Sequence, residues 1–133
     1  MSKSPVKKNK LILVVDDDVI LRKLLKFFLR HDGYAVLAAE NGAAGCEIIK
    51  KEQIDLIILD AMMPVMDGFN FLQWLRVEQD LKTPVLSLTG METETSKQLL
   101  LDAGADKVLF KPIKNHILKQ NIELLLDQAE HKI

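Results

Sequence analysis

Leu56, Ile57, Ile58, Leu59, Asp60, continued by Ala61, Met62, Met63, Pro64, Val65, Met66, Asp67 and Gly68, is the stretch on which the reading of this chain turns. An unbroken apolar run of strand length marks a strand buried on both faces, the kind found in parallel sheets. It delivers one carboxylate at its carboxyl end, where open α/β sheets carry their chemistry. The expectation is that Asp60 acts as a nucleophile toward phosphorus. Pro64 and Gly68 are expected to hold the next loop out of helical geometry, and Asp67 to cap the helix that follows.

Outward from this strand the same alternation repeats. Leu11–Val15 is an apolar run ending in Asp16, Asp17 and Asp18, and the segment Val19–His31 follows with Leu21, Leu24, Leu25 and Phe28 at helical spacing. Asp18 is expected to cap that helix, and Asp32 with Gly33 to stop it. A second strand is expected at residues 34–38, then a helix at 43–51 with Cys46 and Ile49 inward. After Asp60 come a helix at 69–78 with Phe71, Leu72 and Leu75 inward and a strand at 85–88 ending at Thr89. A polar stretch at 91–96 leads into a helix through Leu99, Leu100 and Ala103 that Gly104 ends. Lys107–Phe110 is the fifth strand, closed by Lys111 and Pro112, and Leu118, Ile122 and Leu125 mark the last helix. Leu99, Leu100 and Leu101 cannot all face one core, so one of them is expected either to serve a partner surface or to be an ordinary exposed leucine. Five βα units in succession imply an α/β fold: a doubly wound five-stranded parallel sheet with five helices. Strand order 2-1-3-4-5 suits the strand count and puts the switch point between strands one and three. Those are the two strands that end in acids.

Composition narrows the function. The chain has 133 residues, a formal net charge of -1, 48% apolar and 28% charged residues, which suits one folded domain and gives no basic excess for nucleic acid. Cys46 is the only cysteine and is read as a small buried apolar residue. His31, His116 and His131 have no partners at metal-ligand spacing and are read as surface groups. Residues 1–9 read as a mobile tail and 10–131 as the domain. Without a signal-peptide core or a run long enough to span a bilayer, the expectation is a soluble cytoplasmic chain with no membrane insertion.

Every unusual polar residue falls at a strand end: Asp16 and Asp17, Asp60, Thr89 and Lys111. Carboxylates crowded onto one rim repel unless a divalent cation neutralises them, and oxygen-only ligands select Mg²⁺, with Mn²⁺ as a substitute. In such a site Asp60 attacks phosphorus, Mg²⁺ held by Asp16 or Asp17 offsets oxygen charge, Lys111 meets another oxygen and Thr89 donates from its hydroxyl. No residue is placed as a base for fast hydrolysis of the acyl phosphate, which reads as a switch rather than a turnover enzyme.

The segments Leu11 to Asp18, Leu59 and Asp60 with Met63, Pro64, Met66, Asp67 and Gly68, Leu88-Thr89-Gly90, and Ala103 to Asp106 with Phe110, Lys111 and Pro112 resemble the receiver domain of two-component response regulators. Each short motif is weak alone, but in this order and spacing over residues 10 to 130 they are specific. The resemblance implies the flavodoxin-like, CheY-like fold and Asp60 as phosphoacceptor. It implies a metal site of Asp16, Asp17, Asp60 and the Met62 backbone carbonyl, with Asp17 the more direct ligand of the acidic pair. Thr89 and Lys111 match the switch hydroxyl and the phosphate-binding lysine, before a proline whose bond is commonly cis. The implied partners are a sensor histidine kinase or histidine phosphotransfer protein as donor, and a downstream target or output domain met by helix four, strand five and helix five. Val108 stands where the family often has Tyr or Phe, so signalling is expected to rely on Thr89 and the loop after strand four. Met62 and Met91, flanking the phosphoryl position, cannot orient a water, so slow dephosphorylation is expected.

Two other classes compete. A haloacid dehalogenase-like phosphatase needs a second Asp two residues after the nucleophile, where this chain has Met62. A docking module that never takes phosphate would not need the acidic pair, Thr89 and Lys111 together. No output segment is read after residue 131, which leaves a stand-alone receiver and a piece of a longer regulator both open.

Overall fold

The structure is a computed structural model that describes residues 9–63, 66–90 and 93–131, so most of the expected N-terminal tail lies outside the described residues. Its elements alternate strictly: β1 (Leu11–Val15), α1 (Val19–His31), β2 (Ala35–Ala39), α2 (Gly42–Lys51), β3 (Leu56–Asp60), α3 (Gly68–Gln73), β4 (Val85–Thr89), α4 (Glu94–Ala103), β5 (Lys107–Phe110) and α5 (Asn115–Glu130). The strands form one parallel sheet in the order β2-β1-β3-β4-β5, as expected. Among the described residues no helix is long and apolar enough to cross a membrane.

β3 is central and buried along its whole length. Alternate side chains of a strand leave opposite faces, and here both faces are covered. Leu56 and Ile58 pack with Leu25 and Leu29 of α1 and Leu118, Ile122, Leu125 and Leu126 of α5. Ile57 and Leu59 pack with Cys46, Phe71, Leu72, Leu75 and Leu100 from the helices on the other side. Each such side chain removed from water contributes about 1.5–3 kcal/mol, so the strand that ends in Asp60 is firmly held from both faces.

Several boundaries move by a residue or more, each for a local reason. Tyr34 is not in β2, because its N–H donates to Leu29 O at 3.1 Å and closes the end of α1; pairing with β1 begins at Ala35 and reaches Ala39. α2 opens one residue early, at Gly42, with the Asn41 side chain accepting from Ala44 N–H. α4 opens at Glu94 rather than beyond Ser96, because the Thr93 hydroxyl oxygen accepts from Ser96 N–H at 3.0 Å. In the triple leucine, Leu100 is buried and Leu99 points outward. α1 buries Leu25 and Leu29, while Leu24 and Phe28 of the expected apolar set stay exposed, because its apolar residues cover a wider arc than the sheet.

The expected third helix is continuous in position but not in type. After Gln73 it runs through a π-helical turn, Trp74–Glu78, with Gln79 N–H donating to Trp74 O. From this turn the Arg76 guanidinium donates to the carbonyls of Leu81, Thr83 and Gly104 and to the Asp106 carboxylate, at 2.8 to 3.0 Å. Asp106 also accepts from Val85 N–H, so one side chain ties the end of α4 to the starts of β4 and β5. Arg76→Ala would leave these carbonyls without their donor, and a loss of about 2–3 kcal/mol is expected, read as a lower urea midpoint at unchanged slope.

Candidate functional site

β1 and β3 are neighbours with Val15 opposite Leu59, so Asp16 and Asp60 emerge side by side where the two strands end. Both carboxylates are nearly closed off from solvent, at 1% and 4% exposure, whereas Asp17 is exposed. Asp16 Oδ1 accepts from Asp18 N–H at 2.8 Å, and its main-chain oxygen accepts from the Arg22 guanidinium at 2.8 Å. Asp18 caps α1 as expected, its Oδ1 accepting from Ile20 and Leu21 N–H. Asp60 Oδ1 accepts from Met62 N–H at 3.2 Å, which keeps residue 62 beside the carboxylate while its side chain faces solvent.

Lys111 reaches the same point from the sheet edge. Its Nζ lies 3.4 Å from Asp60 Oδ1 and 3.6 Å from Asp16 Oδ2, and its N–H donates to Thr89 O at 2.7 Å. The Lys111–Pro112 bond is cis. Thr89 is fully buried at the end of β4, one residue beyond Leu88, which pairs with Asp60. All five strand-end residues singled out in the sequence thus gather at one rim of the sheet.

One carboxylate oxygen from each of Asp16, Asp17 and Asp60 lies within 4.8 Å of the others. Burial, and after it the Asp16 charge, push the Asp60 carboxyl up to about 6, against the pull of Lys111 and the Met62 amide. Asp16 Oδ2 is buried and has no hydrogen-bond partner. The Lys111 ammonium 3.6 Å from it is shared with Asp60, so one positive charge faces three carboxylates and the rim keeps an excess of negative charge. The donor set is oxygen only, so these residues fit a hard divalent ion such as Mg²⁺.

The loop after Asp60 is shaped by a close approach. Gly68 does not keep the chain out of a helix; it is the first residue of α3, capped by Asp67 accepting from Asn70 N–H at 2.9 Å. A Cβ at Gly68 would stand 2.8 Å from the Ala61 Cα, backbone that cannot step aside, and Gly68 N–H donates to Ala61 O. Gly68→Ala is therefore expected to cost about 1–3 kcal/mol and to displace residues 61 and 62, seen as a lower melting temperature and shifted Ala61 and Met62 amide resonances.

The family of response regulator receiver domains matches residues 12–123 of this sequence. The chain belongs to that family. The receiver domain is 37% identical over 122 residues to the alkaline phosphatase synthesis transcriptional regulatory protein PhoP of Bacillus subtilis, covering 92% of this chain and 50% of that protein. It is likewise 37% identical over 120 residues to the transcriptional regulatory protein GltR of Pseudomonas aeruginosa, covering 90% and 50%. The chain thus spans about half the length of these curated relatives. Among solved structures, the receiver domain of the Francisella response regulator 1452 superimposes with a TM-score of 0.87 at 30% identity, covering 91% of this chain and 99% of that one. The Vibrio cholerae chemotaxis protein CheY4 superimposes with a TM-score of 0.83 at 32% identity, covering 88% and 98%.

Within this receiver domain, Val108 is buried on the side of the sheet that carries α4, beside Leu100 and Ala105. Met91 lies outside the described residues. Cys46 packs in the core with its sulfur 3.8 Å from that of Met66, and burial pushes its thiol up to about 11, which leaves it unreactive. Arg22 was not legible in the sequence: nothing in its spacing says that a helix residue would reach back to the Asp16 carbonyl.

Proposed function

We propose that this receiver domain is a phosphorylation switch in which Asp60 takes a phosphoryl group from a sensor histidine kinase or a histidine phosphotransfer protein. In the transfer an Asp60 oxygen bonds to phosphorus as the donor P–N bond breaks, and the leaving imidazole keeps the electron pair and takes a proton from water. Lys111 Nζ, already 3.4 Å from Asp60 Oδ1, would pair with an oxygen of the incoming group. The buried Thr89 hydroxyl would donate to another. Asp16, Asp17, Asp60 and the Met62 carbonyl would hold Mg²⁺, or Mn²⁺ in its place. Such an ion supplies charge neutralisation for the phosphoryl oxygens. Burial of Asp16 and Asp60 limits water at the site, and the Met62 side chain cannot act as a base, so dephosphorylation would be slow.

The observation that carries this reading is the crowding of the Asp16, Asp17 and Asp60 carboxylates at one rim around the single Lys111 ammonium, with Asp16 Oδ2 buried and without a hydrogen bond. Residues 10–131 would form the receiver unit, residues 1–9 a tail, and the chain would work in the cytoplasm. The signal would leave through α4, β5 and α5 toward a target protein or output domain, with no enzymatic activity beyond the chain's own phosphorylation and slow dephosphorylation. Incubation with Mg²⁺ and acetyl phosphate is expected to add one phosphate, mapped to Asp60 by borohydride trapping and mass spectrometry, and stable for minutes after donor removal. Phosphate on another residue, or none, would refute the reading, as would hydrolysis of ordinary phosphomonoesters with turnover.

A further inference from the structure

We propose that Arg22 is a positioning residue of the ion site: it fixes the peptide plane between Asp16 and Asp17, and thereby the spacing of their two carboxylates. Its guanidinium donates to the Asp16 main-chain oxygen at 2.8 Å. That oxygen belongs to the peptide joining Asp16 to Asp17, so a bond to it sets how the plane is turned and where the Asp17 side chain starts. Two further bonds hold the same residue. The Asp16 N–H donates to Ala39 O at 3.1 Å, and Asp16 Oδ1 accepts from Asp18 N–H at 2.8 Å. The amide, the carbonyl and one carboxylate oxygen of Asp16 are thus all engaged, and the remaining oxygen, Oδ2, is the one 3.6 Å from Lys111 Nζ. Asp17 is exposed, so its carboxylate takes its place from the backbone rather than from packing. One oxygen of each still lies within 4.8 Å of the other and of an Asp60 oxygen.

Helix geometry explains how Arg22 arrives there. Side chains of a helix lean toward its N-terminus, so a long one on the turn after the Asp18 cap reaches back to the end of β1. A cation this close to a helix N-terminus gains nothing from the dipole, which favours anions there. Among the described residues the guanidinium pairs with no carboxylate. What it has beside the acidic pair is a charge-assisted bond to one carbonyl. Outer partners of this kind hold metal ligands in place, and their loss weakens ion affinity by about tenfold to a hundredfold. A residue that only tied α1 to β1 would change the melting temperature and leave ion affinity alone. Charge by itself predicts the opposite sign, since a cation removed from beside three carboxylates would tighten the binding of a divalent ion. This role rests on Asp16, Asp17 and Asp60 forming the Mg²⁺ site proposed for the switch.

The test titrates the metal-free full chain with Mg²⁺, followed by the amide resonances of residues 60 to 62, and with Mn²⁺, followed by the paramagnetic signal of the free ion. Arg22→Met keeps the apolar stem and removes the donor. It is expected to weaken binding of both ions by about tenfold or more, and to shift the Asp17 amide resonance before any ion is added. Phosphate incorporation from acetyl phosphate should be slowed at low Mg²⁺ and should return to the parent rate at saturating Mg²⁺. Arg22→Lys, whose donor has nearly the same reach, should restore most of the affinity, and Arg22→Gln, too short to reach, should not. Lys26→Met, one turn further along α1, removes the same charge without a bond to Asp16 and should leave the affinity within about twofold. Melting in chelator verifies that each variant is folded, and the Lys and Gln variants carry the comparison if the Met variant is not. Unchanged or tighter ion binding in Arg22→Met and Arg22→Gln, or a loss of phosphate incorporation that is equal at low and saturating Mg²⁺, would overturn the proposal. A parent chain that binds Mg²⁺ and takes no phosphate would count against the phosphorylation switch instead, because the ion titration reads Arg22 without it.

Discussion

Asp60→Asn is expected to abolish phosphate incorporation from acetyl phosphate and, in the same protein, to raise stability. The amide nitrogen and oxygen of Asn cannot form an acyl phosphate, so the loss should be complete within detection rather than graded. The stability gain follows from the carboxyl's environment. Asp60 titrates near 6 when folded, above the ordinary carboxylate range near 4, because burial and Asp16 disfavour its charge. The folded state therefore holds more protons than the unfolded one between about pH 4 and pH 6, and stability of the metal-free protein falls as pH rises through that window. Above it the full cost of the charged carboxylate remains, about 1–3 kcal/mol in order of magnitude. Asn carries no charge, so the variant should melt higher than the parent at pH 7 to 8 in chelator, and the difference should vanish toward pH 4. A melting difference that does not depend on pH would mean that the Asp60 charge is not the cause.

The second large effect is expected from the divalent ion. Mg²⁺ at about a hundred times its dissociation constant should stabilise the folded chain by about 2.7 kcal/mol, since an unfolded chain has no assembled carboxylate cluster. Asp16→Asn should remove most of that gain, because it takes away the buried oxygen that has no other hydrogen-bond partner. The same substitution should lower the Asp60 titration point, because the Asp16 charge is one of the causes that raise it. Melting curves with Mg²⁺ or chelator, and carboxyl carbon resonances followed with pH, give both readings. Undiminished Mg²⁺ stabilisation in Asp16→Asn would remove Asp16 from the ion site.

The elements of this fold were legible wherever periodicity and strand length spoke together. The all-apolar run Leu56 to Leu59 is a buried parallel strand, and the β3 it forms is covered on both faces by helices. The site residues were legible too, because α/β topology brings strand carboxyl ends together whatever lies between them. Boundaries were less so, since Thr93 and Asn41 capped their helices a residue or more earlier than the apolar pattern begins.

By itself, then, the sequence determined the strand order, the rim where Asp16, Asp60, Thr89 and Lys111 meet, and the cap at Asp18, because each depends on periodicity or on groups a few residues apart. Only the tertiary structure decided what depends on distant segments meeting. Arg76 serves carbonyls as far along the chain as Gly104 because a π-helical turn aims it there. Gly68 answers to the backbone of Ala61 rather than to its own loop. Asp60 acquires its raised carboxyl from burial under β1 and β4 and from Asp16, 44 positions earlier in the chain. And α1 keeps Ile20, Leu24 and Phe27 in solvent because the sheet beneath it is narrower than the helix's apolar arc, a limit no periodicity records.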